Sequence, residues 1–259
     1  MTPPAVLHIR SPANALLKDV RRLAQDGQAY RKQGRVWLEG QHLLDAALAK
    51  GLEPLFCVFS ESYWPVASVK FAGIATKLIV LPDLLFASLS ALESPAAMGF
   101  VIELPPQPEF APQRPSVVLD RLQDAGNVGS ILRSAAALGF EQIIALEGTA
   151  ALWSPKVLRA GMGAHFSLRL MEQAALQQLD TLAVPLVVTS SHAGELLHRS
   201  PLPWPCAWVF GHEGQGVSQA LMERAAFSVR IAQPGGQESL NVAAAAAICL
   251  HASAAHQAN

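Results

Sequence analysis

Apolar and polar positions divide the chain into two stretches of different rhythm. From residue 116, strand-like runs with apolar centres (SVVLD, EQIIAL, PLVVTS, CAWVFG, FSVRIA) alternate with longer segments such as VGSILRSAAALG, ALQQLDTLA, SQALMERAA and LNVAAAAAICLHASAA. Unbroken apolar runs suit strands covered on both faces, and apolar residues three or four apart suit helices. Their alternation predicts an α/β domain with a mainly parallel sheet under helices. In such sheets ligands bind in the loops beyond the carboxyl ends of the strands. The first hundred residues predict a smaller α/β unit, with helices at NALLKDVRRLAQDG and at HLLDAALAKG, closed by Gly51, and strands at LFCVF and KLIVL. Between them lies LPPQPEFAPQRPS, where Pro105, Pro106, Pro108, Pro112 and Pro115 forbid helix and most sheet pairing. The expected organisation is therefore a first domain over 1–103, a stiff linker over 104–116 and a second domain over 117–259.

Composition narrows the class. With 259 residues, 51% hydrophobic and 15% charged, the chain can bury a substantial core and reads as a compact soluble protein. No run of eighteen apolar residues occurs, and MTPPAVLHIRSPANALLK lacks the pattern of a secretory leader, so a cytoplasmic protein without a membrane anchor is expected. Cys57, Cys206 and Cys249 stand far apart, and no H-x-x-x-H pair is present; neither a disulfide framework nor a metal site is expected. The net charge of −1 speaks weakly against a nucleic-acid partner, but the average hides a gradient. Residues 1–40 carry Arg10, Lys18, Arg21, Arg22, Arg31, Lys32 and Arg35 against Asp19, Asp26 and Glu39, a net +4. By itself that cluster is either a solvated helix face or an RNA contact.

Three glycine-rich loops of the second half place polar side chains where a helix begins. In LDRLQDAGNVGSILRSAAALGF, residues 119–140, Asn127 stands at a plausible helix N-cap and Arg133 falls among apolar neighbours. In VFGHEGQGVS, residues 209–218, Glu213 is set among Gly211, Gly214 and Gly216, which permit close approach of backbone to a ligand. In RIAQPGGQESLNVAAAAA, residues 230–247, Ser239 could cap the last helix, leaving Asn241 unexplained. Each loop taken singly is either a capped turn or part of a site. The dinucleotide, nucleoside triphosphate and serine hydrolase fingerprints are all missing from the sequence.

In this order and spacing the loops resemble the three motifs of the SpoU, or TrmH-like, family of SPOUT methyltransferases: NVGSILR resembles N-x-G-x-x-x-R, VFGHEGQGVS a G-x-E-x-x-G turn, and IAQPGGQESLNVAAA a motif centred on S-L-N. SPKVLRAGMGAHFSL, residues 154–168, is similar to the family's middle stretch, and the likeness runs from residue 116 to about 256. More loosely, YRKQGRVWLEGQHLLDAAL, residues 30–48 with Glu39 and Gly40, and LESPAAMGFV resemble the small ribosomal-protein-like domain that many members carry for substrate binding.

The resemblance implies a trefoil-knotted C-terminal domain, a homodimer, S-adenosylmethionine as cofactor and methylation of a ribose 2′-hydroxyl in ribosomal or transfer RNA. By the same likeness Thr189, Gly211, Ile231 and Leu240 touch the cofactor, while Asn127, Arg133, Glu213, Ser239 and Asn241 form the catalytic end. Glu213 and Asn127 are expected to hold Arg133 in place. A guanidinium keeps its proton in neutral water, so the expected role of Arg133 is to bind phosphate and stabilise charge on the 2′-oxygen rather than to act as the base. Arg21, Arg22, Arg31, Lys32 and Arg35 are the expected RNA contacts of the first domain, with ribosomal RNA favoured over transfer RNA as partner. A catalytically silent RNA-binding relative and a base-nitrogen methylase are the competing readings; the intact motifs oppose the first and N-x-G-x-x-x-R opposes the second. Trp153, Trp204 and Trp208 either pack a core or interface, or stack on bases.

Overall fold

The computed structural model describes residues 5–74, 77–90, 95–190, 194–235 and 239–257. Residues 92–94 of the LESPAAMGFV match and 236–238 of the third loop lie outside the described residues. The chain divides into two compact units, one formed by Met1–Pro106 with Trp153–Phe166 and the other by Gln107–Leu152 with Ser167–Asn259.

The first unit carries β1 (Ala5–His8), α1 (Ala15–Gln25), α2 (Ala29–Gln33), β2 (Arg35–Glu39), α3 (Gln41–Leu48), β3 (Phe56–Ser60), α4 (Trp64–Lys70), β4 (Lys77–Leu81), α5 (Asp83–Ala87) and β5 (Met98–Glu103). Its sheet has the order β1-β4-β3-β5-β2, parallel through β1, β4 and β3 and antiparallel at β5. Asn14 starts α1 by accepting from the amides of Leu16 and Leu17, and Leu17, Val20, Leu23 and Ala24 bury one helical face.

In the second unit β6 (Ser116–Asp120), α6 (Ala125–Ala137) and β7 (Gln142–Leu146) are followed by α7 (Pro155–Gly161), which packs on α1 and β2 and so belongs to the first unit. Then come β8 (Arg169–Ala174), β9 (Leu186–Thr189), β10 (Glu195–Leu196), β11 (Ala207–Gly211), α8 (Gln219–Arg224), β12 (Phe227–Arg230) and α9 (Val242–Gln257). The seven strands run parallel in the order β10-β12-β9-β11-β6-β7-β8. Every residue of β6, β7 and β11 is buried, as expected of strands covered on both faces. Helix α6 turns Val128, Ile131, Leu132 and Ala135 inward and packs against α9, which buries Ala246, Cys249, Leu250 and Ser253 at the same spacing. Trp208 is buried, its indole N–H donating to Ser253 Oγ at 2.8 Å, and Trp153 is buried too; Trp204 stands half-buried with its ring edge on Phe140.

The structure departs from the expected elements in three places. ALQQLDTLA forms a short 3-10 turn over Leu176–Thr181 rather than an α-helix, and RLMEQA, too polar to stand out, forms the edge strand β8. The proline-rich stretch has no helix or strand, yet from Gln107 onward it is strapped to the second unit. Gln107 Oε1 accepts from the Glu172 amide at 3.2 Å, Arg169 reaches the Glu109 carbonyl at 2.7 Å, and the buried Gln142 side chain bonds both backbone groups of Ala111.

Candidate active site

In a parallel sheet all strands deliver their carboxyl ends to one edge, and here that edge collects the three motif loops. The loop after β6 ends in Asp124, whose Oδ1 accepts the Asn127 amide at 2.7 Å and caps α6. The cap is thus Asp124; Asn127 is the third residue of the helix, which corrects the expectation that Asn127 caps it. Displaced one turn inward, Asn127 has its side chain free for longer reach. Its Nδ2 donates to Glu213 Oε1 at 3.2 Å, and its Oδ1 accepts from Asn241 Nδ2 at 2.9 Å.

Glu213 spans from the second loop to the first. Besides Asn127 it accepts from the amides of Asp124 at 3.1 Å and Gln123 at 3.3 Å. Burial pushes its carboxyl up, but the hydrogen bonds from its own backbone, Asn127, Asp124 and Gln123 outweigh it, so the group titrates below its ordinary value. At neutral pH Glu213 is an anionic acceptor and has no proton to give. The turn that presents it is closed by a bridge between His212 and Gly216, with His212 Nδ1 accepting from the Gly214 and Gln215 amides at 3.0 and 3.3 Å. Gly211 lies under this turn: a Cβ there would overlap the carbonyl carbon of Gly216 and the amide of Val217. The glycine is required by close backbone approach.

The third loop delivers Asn241, whose Oδ1 accepts from the amides of Ala243 at 2.9 Å and Ala244 at 3.3 Å. Asn241 is therefore the cap of α9, not Ser239, and its Nδ2 ties that cap to Asn127. Ser239 is exposed and makes no hydrogen bond among the described residues. Asn127, Glu213 and Asn241 thus form one network, which leaves Ser239 and Arg133 outside it.

Arg133 is exposed, with no ion pair or hydrogen bond among the described residues. Six helical positions separate it from Asn127, a turn of about 240°, so the two leave α6 on different faces. Within the chain Glu213 and Asn127 bond to each other and to the loop backbone rather than to Arg133. The apolar neighbours of Arg133 point inward while its own position on the helix points out.

The expected cofactor residues line the same edge. Thr189 ends β9, Gly211 ends β11 and Ile231 follows β12; these strands are adjacent, and Leu240, 41% exposed, precedes the Asn241 cap. Gln233 Oε1, two residues beyond Ile231, and Ser228 Oγ on β12 are buried without a hydrogen-bond partner among the described residues. Unpaired buried polar atoms next to apolar walls suit an organic ligand that carries its own donors, as a nucleoside does. Among the described residues no three His, Cys, Asp or Glu side chains gather as a metal site would need.

Sequence reasoning missed Asp120, Arg121, Asp124, Gln215 and Ser218. Asp120 is buried at the end of β6, where it accepts from Arg121 Nε at 2.9 Å and from the Ser218 amide at 2.7 Å. A charge closing the otherwise apolar run SVVLD was the available signal. In the first unit, the basic set spreads over α1, α2 and the start of β2. Arg22 and Lys32 are exposed, Arg21 donates to Ser88 Oγ at 3.2 Å, Arg35 to Gln33 Oε1 at 3.3 Å, and the Arg31 guanidinium lies 5.4 Å from the Tyr30 ring centre.

Residues 114–251 match the SpoU rRNA methylase family. The chain belongs to this family. It is 30% identical to the 23S rRNA (guanosine(2553)-2′-O)-methyltransferase of Bacillus subtilis, over 94% of this chain and 97% of that protein. Among solved structures, an RNA 2′-O ribose methyltransferase superposes with a TM-score of 0.83 at 30% identity, covering 97% of this chain and 99% of the other. An AdoMet-bound rRNA methyltransferase from Sinorhizobium meliloti gives 0.84 at 25% identity, covering 97% and 98%. The family expected from the three motifs is the one found, and these three relatives align along nearly the whole chain, including the first unit.

Proposed function

We propose that this SpoU family protein methylates a ribose 2′-hydroxyl of ribosomal RNA with S-adenosylmethionine as donor. The observation that carries the reading is the Asn127–Glu213–Asn241 network, which draws the three motif loops together beside Thr189, Gly211, Ile231 and Leu240. The similarity to rRNA 2′-O-methyltransferases over nearly the full chain supports the same substrate.

When bound, S-adenosylmethionine supplies an electrophilic methyl group on a sulfonium. Thr189, Gly211, Ile231 and Leu240 would hold the cofactor, and the 2′-hydroxyl that takes its methyl would release its proton to phosphate or water, leaving S-adenosylhomocysteine. This chain's own part is to hold the acceptor in line and to stabilise the charge that develops on it. Arg133, exposed and unpaired, binds the phosphate beside the target ribose and donates towards the 2′-oxygen. A guanidinium holds its proton in neutral water, which excludes it as the base. Asn127, Glu213 and Asn241 keep the loops fixed, Ser239 faces the ribose, and Gln233 and Ser228 offer polar atoms to the cofactor.

In this reading the protein works as a cytoplasmic homodimer. The unit bearing Arg21, Arg22, Arg31, Lys32 and Arg35 is a substrate-binding domain that grips structured RNA by phosphate and shape. The test is to compare ribosomal RNA from cells with and without the protein for one nucleotide whose 2′-O-methyl group resists alkaline cleavage. The purified protein should restore the mark in vitro, and Arg133→Ala should slow it on the order of 10²–10³-fold. An unchanged methylation map, or an Arg133→Ala protein as fast as the parent, would refute the assignment.

A further inference from the structure

The sheet reverses its direction of growth between β6 and β11. From β6 the chain builds β7 and β8 to one side, while β11, β9, β12 and β10 lie on the other. Such a reversal opens a crevice at the carboxyl edge, because the loops leaving the two central strands depart in opposite directions. The residue that stands at this crevice on the β6 side is Arg121.

Its backbone is held in the left-handed region at φ 60°, which a long side chain seldom occupies. Three segments hold it there. Its amide donates to Thr149 Oγ1 at 3.2 Å, and that hydroxyl donates to the Leu119 carbonyl at 3.0 Å. Gly148, at φ 87°, leaves space for the side-chain stem; a Cβ on it would stand 3.3 Å from Arg121 Cγ. The guanidinium lies on Asp120, Nε to Oδ1 at 2.9 Å and Nη2 to Oδ2 at 3.3 Å, while Nη1 donates to Gln215 Oε1 of the second loop at 3.0 Å. Asp120 is 3% exposed at its side chain and Arg121 is 35% exposed, so the pair is anchored at its carboxylate and open at its cation.

A guanidinium has five N–H donors. Three are used by Asp120 and Gln215, which leaves one on each terminal nitrogen to donate to phosphate oxygens. Strain kept in a non-glycine residue at a ligand-binding edge is itself a mark of function. We infer that Arg121 is an RNA-positioning residue whose free donors bind a backbone phosphate next to the target nucleotide, in addition to Arg133. This inference rests on the RNA methyltransferase reading above. The same donors suit a carboxylate, including that of the cofactor, and the measurements below separate the two oxyanions.

The test uses the full-length protein, 23S ribosomal RNA transcribed in vitro and S-adenosylhomocysteine. Arg121→Gly keeps the left-handed backbone without strain and removes only the guanidinium; Arg121→Lys keeps a charge without the fork. RNA affinity should fall about tenfold in Arg121→Gly, and the slope of log affinity against log salt should become shallower by roughly 0.7–0.9, the share of one phosphate contact. Arg121→Lys should keep the parental slope with a smaller loss of affinity. S-adenosylhomocysteine affinity, measured calorimetrically, should stay at the parental value in Arg121→Gly, while its melting curve should remain cooperative but shift down, because buried Asp120 loses its cation. Parental RNA affinity and slope in Arg121→Gly would overturn the inference. Loss of S-adenosylhomocysteine affinity with an unchanged slope would also overturn it, and assign the donors to the cofactor. A parent protein that does not bind the RNA would overturn the functional reading along with it, whereas a binding parent with an indifferent Arg121→Gly overturns this inference alone.

Discussion

The two ends of the seven-stranded sheet make an instructive pair. At the amino ends of β6, β7 and β11 an open groove of about 750 Å³ is lined by residues that include Gln113, Arg114, Pro115, Glu141, Trp204 and Pro205. Its main polar feature is the Arg114–Glu141 ion pair at 2.6 Å, with the two side chains 58% and 45% exposed. The carboxyl ends carry instead a chain of directed hydrogen bonds: Asp120 to Ser218, Glu213 to the first loop, Asn127 to Asn241 and Asn241 to α9. The first end offers an open groove and the second directed chemistry. A reaction site needs groups fixed in orientation before the ligand arrives, and at the carboxyl end such groups meet where the three motif loops converge.

The largest expected break in this contrast is Gly211→Ala. The added methyl would meet backbone rather than a flexible side-chain end, so the turn over Gly211 must move. Forcing atoms into a packed position typically costs about 1–3 kcal/mol. The variant should melt several degrees lower and bind S-adenosylhomocysteine weakly, as read by calorimetry with and without ligand. Parental stability and affinity together would show that the turn does not shape the pocket.

Legibility in the sequence follows the same division. The strands of the central sheet could be read because β6, β7 and β11 are buried on both faces and therefore apolar along most of their length. The pairing of Asn127 with Glu213 and Asn241 could not be read, since the three lie about 86 and 114 positions apart along the chain and local rules describe only neighbours. The caps misled for a related reason. Asp124, Asn127, Ser239 and Asn241 are all capping residue types, and choosing among them needs the helix start, which Gly126 in the first turn of α6 disguised. The motif spacing offered the candidate residues as a set, but it did not show that Arg133 projects away from Asn127. The left-handed backbone of Arg121 has no sequence signal, because it is imposed by Thr149 and Gly148 from the next loop.

A gentler probe acts on the carboxyl end through pH. The folded Glu213 titrates below the ordinary carboxylate value, so its contribution is fully present above the unfolded pKa of about 4.3 and is lost as pH falls through the lower folded value. Glu213→Gln keeps one acceptor oxygen and removes the charge. The parent should therefore melt above Glu213→Gln at neutral pH, and the gap should narrow below about pH 4. A gap of constant size from pH 7 to pH 3 would mean that the network does not depend on the ionised carboxylate.

The smallest effect is expected at the amino end. The Arg114–Glu141 pair is short, yet both partners are largely in water, where the attraction is screened and opposed by the entropy of holding two long side chains; such exposed pairs contribute about 0–1 kcal/mol. Arg114→Ala should thus shift the melting temperature by no more than a degree or two and leave the methylation rate at the parental value. The prediction has force because this groove is large and Arg114 is its cation. If Arg114→Ala lowered RNA affinity tenfold, with a shallower salt slope, the groove would be a second RNA contact. The contrast between the two ends would then be one of roles in the same substrate complex, not of site against inert surface.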